Sequence, residues 1–74
     1  MVQTNKVKAR IVELGFTYRE VADSIGVDYT TLSLKLSNKR RIYLDEVAKL
    51  CKLLNINSSD QLREYFNLDF LILS

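Results

Sequence analysis

The chain contains three consecutive cations, Lys39, Arg40 and Arg41, which directly follow the polar residues Ser37 and Asn38. A cluster of cations can neutralise a nucleic acid backbone, and its local density counts for more than the net charge, which is only +2. Hydroxyl and amide groups also donate hydrogen bonds to phosphate oxygens. The residues of this segment expected at phosphates are Ser37, Asn38, Lys39 and Arg40. The alternative is a solvated loop.

Catalytic and metal chemistry is not indicated. The chain has no His and a single Cys, so it lacks the commonest general base and metal ligand and has no intrachain disulfide framework. That residue, Cys51, lies on an apolar helical stripe, as a small core residue does. We therefore expect neither an enzyme nor a bound cofactor, metal or small-molecule substrate.

The elements that position these side chains are two short predicted helices within Thr17–Lys39. Thr17 and Glu20 have the spacing of a capping box, which predicts the start of the first helix. Gly26 supplies a left-handed residue at the end of that helix, and Asp28 caps the next one. Two caps around one glycine are typical of a helix-turn-helix.

The second helix of this unit is the expected DNA recognition helix, because its first-turn side chains can reach base edges in the major groove. The residues expected to face bases are Tyr29, Thr30, Ser33 and Leu34, and those expected at a phosphate beside the preceding helix are Tyr18 and Arg19. Tyr29 has the alternative of covering the edge of the core. For Leu34 there are three alternatives: contact with a thymine methyl, contact with a partner protein, or packing in its own core.

The whole chain predicts an all-α fold of five short helices in a compact bundle. The first helix is expected over about Asn5–Leu14, the fourth from near Leu44, and the fifth from an S-x-x-Q capping box at Ser58. At 74 residues the chain is expected to form one domain, residues 1–74. It has neither an apolar leader region nor a run of ~20 apolar residues, so no membrane contact and a cytoplasmic location are expected.

Residues 67–74 form an apolar tail. Its candidate interface residues are Leu68, Phe70, Leu71, Ile72 and Leu73. Each large apolar side chain left in water forgoes roughly 1.5–3 kcal/mol of burial, so the tail is expected either to cover the core or to join two copies. We favour the shared interface. A homodimer would place two recognition helices ~34 Å apart, one DNA turn, on a pseudo-palindromic operator.

These features resemble the Cro/repressor-type (XRE-like) helix-turn-helix family over roughly Val7 to Leu62. The matching residues are Thr17, Glu20, Ala22, Ile25, Gly26, Val27, Leu32 and Ser33, then Lys39, Arg40 and the segment LDEVAKL at 44–50. Tyr18 stands where many members carry Gln, and Leu34 where many carry a polar base-contacting residue. Lys35 stands where many have an apolar residue, so Leu36 is expected to take its place in the core.

The resemblance implies a DNA-binding transcriptional regulator of a phage or mobile element, acting in a lysogeny switch inside a bacterial host cell. A second hypothesis is an antirepressor that grips a partner phage repressor through the same scaffold. The modest net charge, the apolar tail, and Leu34 and Tyr29 on the presented helix favour it.

Overall fold

The fold consists of short helices joined by tight, hydrogen-bonded turns. A computed structural model of the chain describes residues 2–67. Within that range there are five helices and no strand: α1 Thr4–Glu13, α2 Tyr18–Ile25, α3 Tyr29–Leu36, α4 Leu44–Leu53 and α5 Ser59–Phe66. The predicted all-α class and helix order are confirmed. The predicted tail interface, Leu68 and residues 70–73, lies outside the described residues.

The α2–α3 unit forms as its sequence predicts. The Glu20 N–H donates to Thr17 Oγ1 at 3.1 Å, and the Thr17 N–H donates to Glu20 Oε1 at 2.9 Å, which completes the capping box. Gly26 ends α2 at φ 80°, a left-handed conformation that glycine adopts without a Cβ clash. Asp28 Oδ1 then accepts the Thr31 N–H at 2.7 Å and caps α3. The predicted helix-turn-helix is therefore confirmed.

The α5 cap differs in one bond from the predicted box. Ser58 Oγ accepts the Gln61 N–H at 3.2 Å, as expected. The return bond, however, comes from the Asn57 N–H to Gln61 Oε1 at 3.1 Å, one residue before the cap. This bond still satisfies a backbone donor at the entrance to the helix.

The core lies between α2 and its neighbours. α2 packs against α3 and α4, and α1 packs against α5. Ala22 of α2 is buried in this core. Leu36 is buried in this core, which confirms its expected role. Cys51 is also buried, and burial raises the pKa of its thiol to about 11, so the expected core role of Cys51 is confirmed as well.

A short segment before α1 closes the fold. The Val2 N–H donates to Asn38 Oδ1, and Asn38 Nδ2 donates to the Val2 carbonyl, both at 2.9 Å. The Gln3 N–H donates to the Tyr65 carbonyl at 2.8 Å. Val2 is only 3% exposed, so this segment ties the end of α3 to α5. No helix in residues 2–67 is long and apolar enough to cross a membrane.

Candidate nucleic-acid interface

One face of α3 points away from the core. Leu32 and Leu36 are buried on the inner face. Tyr29 is 51% exposed on the outer face, Thr30 is exposed, and Ser33 and Leu34 are half-buried. The four residues predicted to face bases are thus accessible in whole or in part. Their contact with bases remains a prediction.

A cleft of about 700 Å³ runs beside this face. It is open to solvent and lies between the beginnings of α1 and α2 and one side of α3. Its lining contains two cations, several hydroxyls and an amide, and no carboxylate. The lining residues are Thr4, Asn5, Lys8, Thr17, Tyr18, Arg19, Tyr29, Ser33 and Ser37.

The cleft brings together two groups of predicted residues, those at the first turn of α2 and those on α3. Three further lining residues had no predicted role: Thr4, Asn5 and Lys8, all in α1. A polar face opposite buried Val7 is typical of any surface helix. Nothing in the spacing indicated that this face adjoins α3.

Two tyrosines join the beginnings of the two helices. The ring centroids of Tyr18 and Tyr29 are 6.1 Å apart, and the planes are tilted by 51°. Burial, and then the neighbouring Tyr29, raise the pKa of the Tyr18 phenol above its ordinary value of 10.0. The phenol has a hydrogen to donate to an anion. Arg19 is exposed beside it in the first turn, where backbone N–H groups have no intrahelical acceptor.

The turn after α3 is organised by one carbonyl. The Leu34 oxygen accepts the N–H of Lys39 at 2.9 Å, the N–H of Arg40 at 3.2 Å and the Ser37 hydroxyl at 3.2 Å. Asn38 adopts a left-handed conformation, φ 64°. Lys39 and Arg40 are exposed. A fixed backbone thus presents two exposed cations.

Ser37 and Asn38 form hydrogen bonds within the fold that the sequence did not predict. The Ser37 hydroxyl donates to the Leu34 carbonyl, and the Asn38 amide binds both backbone groups of Val2. Their expected phosphate contacts stay predictions. Their observed role is to hold the turn that carries Lys39.

Lys35 is the largest departure from expectation, because it is buried rather than displaced from the core. Its Nζ lies 2.7 Å and 2.6 Å from the two carboxylate oxygens of Glu46, and the two side chains are only 7% and 10% exposed. The same Nζ lies 5.0 Å from the Tyr43 ring centroid. Glu46 Oε1 also accepts the Tyr43 N–H at 2.9 Å, which caps α4. We call Lys35, Tyr43 and Glu46 the α3–α4 clamp.

Electrostatics favour the charged form of the Glu46 carboxylate in the clamp. Burial acts to raise the pKa of Glu46, but the hydrogen bonds from Lys35 and the Tyr43 N–H and the charges of Lys35 and Lys49 hold it below its ordinary value. The clamp joins the last turn of α3 to the first turn of α4. It therefore fixes both ends of the loop that contains Lys39 and Arg40.

Comparison with known proteins gives one match. A family model described as a Cro/C1-type HTH DNA-binding domain matches residues 6–65. No curated protein and no solved structure matches. The matched range contains α2, α3, α4 and most of α1 and α5. It agrees with the resemblance drawn from the sequence.

Proposed function

Because the chain belongs to the Cro/C1-type helix-turn-helix DNA-binding family, we propose that it is a transcriptional regulator that inserts α3 into the major groove of double-stranded DNA. The supporting observation is the capped α2–α3 unit, which turns the outer face of α3 to solvent beside a carboxylate-free cleft. The proposed base contacts are Tyr29, Thr30, Ser33 and Leu34. Its site of action is the cytoplasm of a bacterial host.

Base selectivity in this proposal is modest. The hydroxyls of Thr30 and Ser33 can donate hydrogen bonds to several bases or accept hydrogen bonds from them. The methyl of Thr30 and the side chain of Leu34 are suited to apolar contact with a thymine methyl. No Arg, Gln or Asn occupies the first turn of α3, so bidentate recognition of G or A is not expected there. Sequence-dependent DNA shape and phosphate contacts then contribute much of the discrimination.

Phosphate contacts supply most of the affinity in this proposal. Lys39 and Arg40 are exposed on a fixed turn, and Tyr18 and Arg19 stand at the first turn of α2. Each phosphate neutralised by a cation contributes about −0.9 to the slope of log K against log salt concentration. Binding is therefore expected to weaken steeply as salt rises.

The test is a salt series of DNA binding with a matched control. The double variant Lys39→Ala/Arg40→Ala is expected to weaken binding alike on all sequences and to reduce the slope by about 1.8. The double variant Lys6→Ala/Lys52→Ala removes the same charge from two exposed positions that do not line the cleft. Its slope is expected to match that of the unmodified chain. If both variants have the same slope, the assignment of Lys39 and Arg40 to phosphate contacts is rejected.

We also propose that the regulator acts as a homodimer on a pseudo-palindromic operator, with the apolar tail as the shared surface. The tail lies outside the described residues, so the proposal rests on its sequence. Truncation after Asn67 keeps all of α5, which ends at Phe66. Sedimentation is expected to show a shift towards monomer for the truncated chain. If truncation leaves the mass unchanged, either the dimer interface lies elsewhere or the chain is not a dimer.

The second candidate is an antirepressor that binds a partner phage repressor in a lysogeny switch. The observation that favours it is the presented face of α3, which carries a half-exposed Tyr29 and a partly exposed Leu34. Leu34 stands where many family members carry a polar base-contacting residue. A gel shift on the upstream intergenic DNA, with and without the neighbouring repressor, separates the two functions. A shift by this protein alone supports the regulator, whereas release of the repressor without such a shift supports the antirepressor.

A further inference from the structure

The first turns of α1 offer a polar surface that neither the sequence nor the family match assigns. Thr4, Asn5 and Lys8 line the same cleft as Arg19 and Ser33. We infer that Lys8 and Asn5 bind a phosphate of the DNA backbone, so that the duplex contacts α1 as well as the helix-turn-helix. This inference rests on the proposed DNA binding.

The rotation of α1 about its own axis is fixed by its packing, so Lys8 lies on a defined side of the helix. Val7 and Ile11 are fully buried on the inner side of the helix. The Thr4 hydroxyl donates to the Leu36 carbonyl at 2.6 Å and so holds the first turn of α1 against the end of α3. Asn5 and Lys8, one helical turn apart, are therefore exposed and line the cleft.

The charge of Lys8 is free for a ligand. Lys8 forms no ion pair with any residue of the described range 2–67. Arg10 of the same helix is already engaged, since its Nε donates to the Leu54 carbonyl at 2.9 Å and its Nη1 lies 3.2 Å from Glu13. Lys8 and Arg19 are thus two cations without an ion-pair partner in residues 2–67, and both line a cleft that has no carboxylate in its lining.

Continuity with α3 favours a DNA strand over a free anion. Tyr29, Ser33 and Ser37 belong both to the proposed DNA-contacting surface and to the cleft wall. A duplex seated on α3 brings its sugar–phosphate backbone along this wall. The hydroxyls and the Asn5 amide offer hydrogen bonds to phosphate oxygens, and Lys8 and Arg19 offer charge.

Lys6 provides a matched control for Lys8. Both lysines are exposed on α1 and carry the same charge, but only Lys8 lines the cleft. We would titrate Lys8→Ala and Lys6→Ala onto a labelled duplex of mixed sequence by fluorescence anisotropy over a salt series. Lys8→Ala is expected to weaken binding and lower the salt slope by about 0.9. Lys6→Ala is expected to keep the slope, and Lys8→Arg to restore it.

The uncharged partner gives an independent readout. Asn5→Ala is expected to weaken binding on every duplex without changing the salt slope, because an amide releases no counterion. Melting curves of each variant confirm that the fold is intact, which is expected because both side chains are exposed.

The outcomes separate this inference from the proposed function. If Lys8→Ala keeps the slope of the unmodified chain while Lys39→Ala/Arg40→Ala lowers it, the α1 contact is rejected and DNA binding stands. If Lys6→Ala and Lys8→Ala lower the slope equally, the effect is a general one of net charge, and the site is again rejected. If the unmodified chain binds no duplex, both proposals fall.

Discussion

Removing the charge of Glu46 tests whether the α3–α4 clamp holds the recognition helix. Glu46→Gln keeps the size of the side chain and an oxygen to accept the Tyr43 N–H, but it leaves Lys35 without its counter-ion. Breaking a buried pair by removing one partner costs about 3–5 kcal/mol, because an uncompensated charge stays out of water. The side chains retain 7% and 10% exposure, so we expect the lower limit, about 3 kcal/mol.

That loss is large for a chain of this size. At roughly 0.05–0.15 kcal/mol per residue, a protein of 74 residues has a free energy of unfolding of about 4–11 kcal/mol. A loss of about 3 kcal/mol corresponds to a drop in Tm of roughly 12–24 °C. The double variant Lys35→Met/Glu46→Gln removes both charges and is expected to lose less than either single variant, since no unpaired ion remains.

The assay is urea and thermal unfolding followed by circular dichroism, at low and at high salt. A buried pair is little screened, so the loss in Glu46→Gln is expected to persist at high salt. A cost below about 1 kcal/mol, or one that disappears with salt, is the behaviour of an exposed ion pair and would refute this reasoning. So would strict additivity of the two single variants.

The pH dependence supplies a second check on the same residue. The pKa of Glu46 is lowered in the folded chain, so its contribution is complete above the ordinary value of 4.5 and is lost as pH falls through that value towards the folded pKa. Glu46→Gln is expected to flatten this part of the acid limb. Hydrogen bonding from Thr31 also lowers the pKa of Asp28. Because Asp28 is present in both proteins, the difference between their acid limbs isolates the contribution of Glu46.

Three further predictions concern local structure. Gly26→Ala is expected to lower the free energy of unfolding by about 1–2 kcal/mol in urea melts, from backbone strain alone, because φ is 80° and no atom lies within 4 Å of an added Cβ. Thr17→Ala is expected to cost about 1 kcal/mol and Thr17→Ser much less, because only the serine keeps the cap; equal losses would contradict the capping role. Cys51 is expected to react with a thiol reagent only as fast as the chain opens, since its thiol is buried with a pKa of about 11; rapid labelling of the folded chain would contradict this.

Two features of the helix-turn-helix that are made of contacts within four residues were predictable. The cap of Thr17 with Glu20 and the left-handed Gly26 are short-range, so residue type and spacing determine them. The α5 cap shows the limit of that rule. Its spacing predicted Ser58 correctly, but the return bond of Gln61 moved to Asn57, because several backbone donors lie within reach of one flexible side chain.

Features that depend on how helices cross were not predictable. A lysine is typical of a surface position, and nothing close to Lys35 in the sequence indicates that it is buried. Only the packing of α4 places the carboxylate of Glu46, 11 positions later, against it. The expected phosphate contact of Asn38 stays a prediction, but nothing in the sequence indicated that its amide binds Val2, 36 positions earlier. Such pairs leave no mark in local spacing.

The sequence by itself therefore determined the helices, the caps of α2 and α3, the helix-turn-helix and the family, since these depend on hydrogen bonds and apolar periodicity within a few residues. Tertiary structure alone decided which exposed lysine of α1 faces α3, because a helix presents polar residues on several sides and only packing selects one. It also decided that Lys35 is buried, since the cost of removing a charge from water is offset only where a distant carboxylate arrives beside it.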